Sequence, residues 1–320
     1  MVQQFARTVI NNYRMSISAG FLYQIVGSIF CGCCSDQHGG SIYLNNVGIN
    51  CTVFHCSFIS CYCTGTTSHG GGIAVEKSNE IVISHSCFIY CKSYRCPGFI
   101  IWGHKGYSMQ VIKSNCNISS EFNPDVAGVS SGILSFNSVK YFGNNVSNSL
   151  TNEINSGILF GSETECMCCQ FDTFSNCSGN GIIGFAVYTP NIRNSASYLN
   201  FIDCIATNSF GIVWFSWTNT VDFEEVVFSK CSFQSIVSMG NNGLVEFRKC
   251  HFESFNSGAS FSNAITINCD FGVSSINHHS FLNTKSCYTA SSYLSNSFTY
   301  HLPYMYSISI FSFIVLISNL

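Results

Sequence analysis

"GGGIAVEKSNEIVISHSCFIYC", residues 70–91, opens on three glycines, passes through two apolar stretches around a charged patch, and ends with Phe88 three residues before Cys91. Such a glycine run either cradles phosphate or turns the chain once in each unit of a repeat. No Lys-Ser/Thr follows it at phosphate-loop spacing, and the stretch recurs. With an offset of 31 residues, Gly40 falls on Gly71, Ile42 on Ile73, Leu44 on Val75 and Cys56 on Cys87. Similar openings stand at Gly132-Ile133-Leu134, Gly157-Ile158-Leu159, Gly181-Ile182-Ile183 and Gly211-Ile212-Val213. A second signature follows most of them: Phe58-x-x-Cys61, Phe88-x-x-Cys91, Phe174-x-x-Cys177, Phe201-x-x-Cys204 and Phe228-x-x-Cys231. Phe30-x-x-Cys33 and Phe247-x-x-Cys250 add flanking copies, and Phe142-x-x-Asn145 is a variant. Near the end the period tightens to 19, with Cys231-x-Phe233, Cys250-x-Phe252 and Cys269-x-Phe271.

Within a unit the apolar residues alternate. Ile81 and Ile83, Cys87 and Ile89, Val221 and Phe223, and Val245 and Phe247 recur at every second position, the period of a half-buried strand. No sustained 3.6-residue apolar stripe competes with it. Short strands punctuated by Gly, Asn and Ser in a repeat of 19 to 34 residues suit a solenoid in which one repeat is one coil. The predicted fold is all-β, a right-handed parallel β-helix of about nine to ten irregular coils. One coil cannot bury its inward side chains, but stacking at about 4.8 Å sets Phe on Phe and Cys on Cys. The expected organisation is an N-terminal segment or cap over 1–19, β-helix repeats over 20–272, a polar spacer over 273–302 and an apolar tail over 303–320.

Composition bounds the function. Only 9% of the 320 residues are charged and the net charge is −3 with no basic cluster, so nothing neutralises phosphates as nucleic-acid binding requires. The polar surface consists mostly of hydroxyls and amides. Twenty cysteines fall short of a small disulfide scaffold, and their thiol or disulfide state stays open at this point. Sequons at Asn50, Asn117, Asn145 and Asn176 offer glycan acceptors if the chain is secreted.

A Gly-Gly-x-Ile opening paired with a downstream Phe-x-x-Asn resembles the repeats of the chlamydial polymorphic outer membrane proteins. Gly39-Gly40-Ser41-Ile42, Gly71-Gly72-Ile73-Ala74 and the Phe-x-x-Cys copies carry the likeness over roughly residues 20 to 272. Similar Cys-bearing repeats occur in the β-helix surface proteins of parasitic protists such as trichomonads. Cys replaces Asn in nearly all copies, which favours the protist-like reading. The resemblance implies a pectin-lyase-like solenoid at a cell surface, non-catalytic and structural or adhesive, meeting a host or cell-surface protein or a glycan. No catalytic, cofactor or metal residues are expected.

The alternative is a carbohydrate-active β-helix enzyme, a lyase or glycoside hydrolase, which would need carboxylates facing one cleft. Its candidates are Asp172, Asp203 and Asp222, the first two lying in or beside successive Phe-x-x-Cys copies. Glu224-Glu225 is the one acidic pair, and neighbours on a strand face opposite ways. Cys31-x-Cys33-Cys34 and Cys166-x-Cys168-Cys169 share a spacing but lack the Cys-x2-Cys partner pairs of a structural zinc site. His55, His85 and His251 stand within two residues of repeated cysteines, and His278-His279 in the polar linker. Trp102, Trp214 and Trp217 with fifteen Tyr would supply a sugar-stacking platform if they shared a face.

At the termini, Arg7 and Arg14 precede an apolar stretch, Gly20 to Phe30, that reads as a first coil rather than a leader. The last 17 residues, "YMYSISIFSFIVLISNL", carry no charged side chain. Tyr304 to Ser318 is expected to anchor the chain in a membrane, at the lower length limit for spanning, or else to form a terminal strand.

Overall fold

The computed structural model describes residues 2–6, 8–18, 22–93, 99–102, 108–112, 115–117, 120–121, 132–135, 138–150, 156–160, 166–185, 193–207, 211–215, 220–239, 244–253, 264–272 and 279. It is an all-β parallel solenoid. Successive coils lay strands into three large sheets in turn, and several coils add a two-residue strand to smaller sheets of four and two strands after the second. The first sheet stacks eleven strands from Val2–Ala6 to Ala264–Ile267, and the second stacks eleven from Val9–Asn11 to Asp270–Phe271. The third stacks nine, from Met15–Ile17 to Val237–Met239. Strands of residues 2–17 thus already stand in all three sheets. The apolar tail and, apart from His279, the polar spacer lie outside the described residues.

The second sheet is a column of aromatic rings. Phe30, Phe58 and Phe88 stack at centroid distances of 4.9 and 4.7 Å. Phe174, Phe201, Phe228, Phe252 and Phe271 continue at 5.1, 5.0, 4.7 and 4.9 Å, with planes within 12° of parallel. Cys116 and Val146 hold the two positions between these runs. The expected ladder is therefore present, with two exceptions. Phe247 is buried but belongs to the first sheet, where it pairs with Phe223 at 5.3 Å and meets Phe252 edge-on. Phe142 also lies in the first sheet, so Val146 and buried Ser149, not Phe142 and Asn145, fill the repeat positions. Both errors arise because each coil turns twice with the same local pattern.

That pattern is an inward residue, an outward residue, a left-handed residue, and an inward small residue. At the corner between the first and second sheets the left-handed positions include Gly27, His55, His85, Phe171, Tyr198, Glu225 and Lys249; at the corner after the second sheet they include Gly32, Ser60, Tyr90, Asn176, Asp203 and Lys230. A side chain in this region costs about 1–2 kcal/mol, which Asn, Asp and His bear best. After the second corner the inward residue is Cys33, Cys61, Cys91, Cys177, Cys204 or Cys231. The thiols of Cys61, Cys91, Cys204 and Cys231 lie within 3.3 to 3.5 Å of the carbonyl oxygen of the ladder Phe one coil earlier. The cysteine is a small hydrophobe that also satisfies backbone at a bend. Among the described residues fifteen cysteines are unbridged thiols, and Cys87 is disulfide-bonded. The offset of 31 holds for Ile42 on Ile73. It becomes 30 beyond, so Cys87 stands on Ser57 rather than on Cys56.

The opening glycines turn the chain into the third sheet. Gly39 and Gly70 have φ of 69° and 68°. A Cβ on Gly40 would lie 2.2 Å from the carbonyl oxygen of Gly71, so successive coils meet backbone to backbone there.

Candidate functional site

The residue just before each glycine pair is a histidine, and the turn sets the two in contact. The rings of His38 and His69 stack at 5.1 Å. The backbone N–H of His69 donates to Nδ1 of His38 at 3.1 Å, which leaves Nε2 of a neutral ring to carry the proton. That Nε2 faces Glu76 Oε1 at 3.5 Å. Glu76 and Tyr43 come from neighbouring third-sheet strands, Ile73–Lys77 and Ile42–Asn45. Burial, then a hydrogen bond to Glu76, pushes the Tyr43 phenol up from its ordinary value. Asn45 Nδ2 donates to the phenol oxygen at 3.1 Å. Arg14 completes the group: its guanidinium carbon lies 5.2 Å from the Tyr43 ring centroid, and it donates to the carbonyl oxygen of His38 at 2.9 Å.

Arg14, His38, Tyr43, His69 and Glu76 are all half-buried. They bring a cation, an imidazole, a phenol and a carboxylate around one aromatic face, in a chain of low overall charge. Donors and acceptors flanking a ring suit a polyhydroxylated ligand, which offers both hydroxyls and C–H faces. The sequence held a signal for this cluster: His38-Gly39-Gly40 and His69-Gly70-Gly71 repeat at an offset of 31.

The carboxylates of the enzyme alternative do not share a face. Asp172 is fully buried, accepting from the Asn144 backbone N–H at 2.6 Å and its Nδ2 at 3.0 Å, with Cys169 Sγ 3.3 Å from the other oxygen. Burial pushes its carboxyl up to about 7. Asp203 is exposed at the second corner, and Asp222 lies half-buried in the first sheet beside Glu246. Asp172 precedes the ladder Phe174 while Asp203 follows Phe201, so they occupy opposite ends of paired strands. Glu224 and Glu225, expected to diverge, both pair with Lys249 at 3.3 and 3.4 Å, because the left-handed Glu225 turns the second carboxylate outward.

The two Cys-x-Cys-Cys stretches are unlike. Cys31–Cys34 wraps the second corner, whereas Cys166–Cys169 runs along a first-sheet strand with Cys169 inward. Among the described residues no group of three or more His, Cys, Asp or Glu is arranged to hold a metal. His55 and His85 lie with their ring centroids 5.0 Å apart, tilted by 34°, outside the first corner, while Cys56 is buried. Trp102 and Trp214 sit in third-sheet strands four steps apart, and Trp217 lies outside the described residues. His279 returns to the solenoid: its N–H donates to Asn200 Oδ1 at 3.1 Å, and its ring lies edge-on to Tyr198. Among the described residues no helix is long and apolar enough to cross a membrane.

Comparison with known proteins gives no match to this chain among family models, curated proteins or solved structures.

Proposed function

We propose that the chain is a non-catalytic β-solenoid that binds a glycan through the Arg14–His38–Tyr43–Glu76 cluster at a cell surface. The observation that carries this reading is the Tyr43 side chain of the third sheet, with the Arg14 cation over its ring and its hydroxyl hydrogen-bonded to the Glu76 carboxylate. Two further points support it. Asp172, Asp203 and Asp222 are spread over the interior, a corner and a separate sheet, and the repeat signature resembles surface-exposed, pectin-lyase-like solenoids of adhesive character. The uncharged tail from Tyr304 to Ser318 would hold the protein at a membrane.

The test is a glycan array followed by calorimetry on the best ligand. Tyr43→Ala and Arg14→Ala should each weaken binding at least tenfold with the far-ultraviolet spectrum unchanged, and no new reducing ends or unsaturated sugars should appear. Binding untouched by both substitutions would remove the cluster from the reading, and polysaccharide cleavage would remove the non-catalytic claim.

A further inference from the structure

His279 lies back on the side of the solenoid. Gly272 ends the last described coil, yet His279, seven residues on, rests against Asn200, three coil steps earlier in the second sheet. Three steps are about 14 Å along the stack, and seven residues reach at most about 25 Å, so a single chain spans the gap. The place it meets is the first corner, where Tyr198 is left-handed and Asn200 opens the strand Asn200–Ile202.

Asn200 is only 2% exposed, and its amide meets the main chain of His279 twice. The His279 N–H donates to Asn200 Oδ1 at 3.1 Å, and Asn200 Nδ2 donates to the His279 carbonyl oxygen at 3.0 Å. Exchange of both bonds with one residue is what a neighbouring strand supplies in an antiparallel pair; here a side-chain amide supplies it. The same Nδ2 donates to Thr173 Oγ1 at 3.2 Å, which steadies the amide from the coil before. The His279 ring lies edge-on to Tyr198 with centroids 5.8 Å apart, and its Nε2 stands 2.7 Å from the carbonyl oxygen of Glu225 on the next coil. A carbonyl only accepts, so that nitrogen carries the proton.

We propose that Tyr198, Asn200 and Glu225 form a docking site for extended main chain, that its occupant is this chain's own segment at His279, and that the contact straps the sequence after the coils to the side of the solenoid. A buried amide is costly unless its groups are hydrogen-bonded, and His279 gives this one both a donor and an acceptor. The coils on either side carry Thr173 and Val227 at the Asn200 position, so neither neighbour offers the same grip. The amide reads the backbone of the incoming residue, and Tyr198 with the Glu225 carbonyl reads its imidazole. Few contacts suffice, because the occupant is tethered close to its site and binds as an intramolecular partner.

The test is hydrogen exchange on the full-length protein, read at the His279 amide. That amide should exchange on the order of tenfold more slowly than in a synthetic peptide of residues 274–284. Asn200→Asp keeps the shape but sets a carboxylate oxygen against the His279 carbonyl, and should return the amide to the peptide rate with the circular dichroism unchanged. Trypsin gives a second reading, because Lys285 is the only Lys or Arg after Lys249. Cleavage there should rise severalfold in Asn200→Asp and in His279→Pro, which removes the donating N–H while leaving every residue of the coils in place. A wild-type His279 amide that exchanges at the peptide rate overturns the proposal, and so does Lys285 cleavage that is equal in all three proteins. Protection should be independent of protein concentration; protection lost on dilution would give the site to a segment of a second copy and overturn the assignment to this chain.

Discussion

Asp172 is a carboxyl group sealed among apolar side chains and held by Asn144 and Cys169. Its ordinary value of 3.8 rises to about 7 by burial, so between those values the folded chain keeps a proton that the unfolded chain has released. Stability from this group is therefore complete below about pH 4 and is lost as pH rises through about 7, by at most on the order of 4 kcal/mol. Asp172→Asn should remove that slope: the difference in melting temperature between wild type and variant should move in the variant's favour from pH 4 to pH 8. A constant difference across that range would show that the carboxyl does not titrate in the fold. Nothing in the sequence marked Asp172 as interior. It precedes a ladder Phe by two positions, as Asn144 precedes Val146, and only the corner geometry turns it inward.

A coil's strand in the second sheet is held through its single central side chain. Phe201 lies between Phe174 and Phe228 at 5.1 and 5.0 Å and is fully buried. Phe201→Ala should cost about 3–5 kcal/mol in urea denaturation. Phe271→Ala, at the half-open end of the same column, should cost markedly less; equal losses would mean that the stack does not bear on stability. This scale was the most legible in the sequence, since the recurrence of Phe and Cys at fixed separation fixes a column. It failed where two corners share one local grammar. Phe247-x-x-Cys250 obeys that grammar at the first corner and Phe228-x-x-Cys231 at the second, so spacing alone could not separate them. The Arg14–Tyr43–Glu76 group was illegible for another reason: its members come from three different coils, and only the histidines before the glycines repeat.

Among the described residues the strands stack so that each pairs only with those of the coils before and after it, so stability is shared out along the solenoid rather than held in one centre. The uncharged C-terminal tail follows these coils in the sequence. Deleting residues 303–320 should leave the thermal unfolding of the solenoid unchanged and move the protein from the membrane to the soluble fraction on centrifugation. A truncated chain that aggregates, paired with a full-length chain that is soluble without detergent, would make the tail part of the fold and end the anchor proposal. The repeated corner has a further consequence. Because His55, Phe171, Glu225 and Lys249 occupy one backbone conformation, the sequence at that point is interchangeable between coils. An unequal crossover in the gene with both breakpoints at this corner would insert or remove a whole number of turns and leave every remaining contact in register. Length in such a lineage can drift by duplication while the cross-section is kept, whereas a site assembled from successive coils, as Arg14, Tyr43 and Glu76 are, survives only where no turn enters between them.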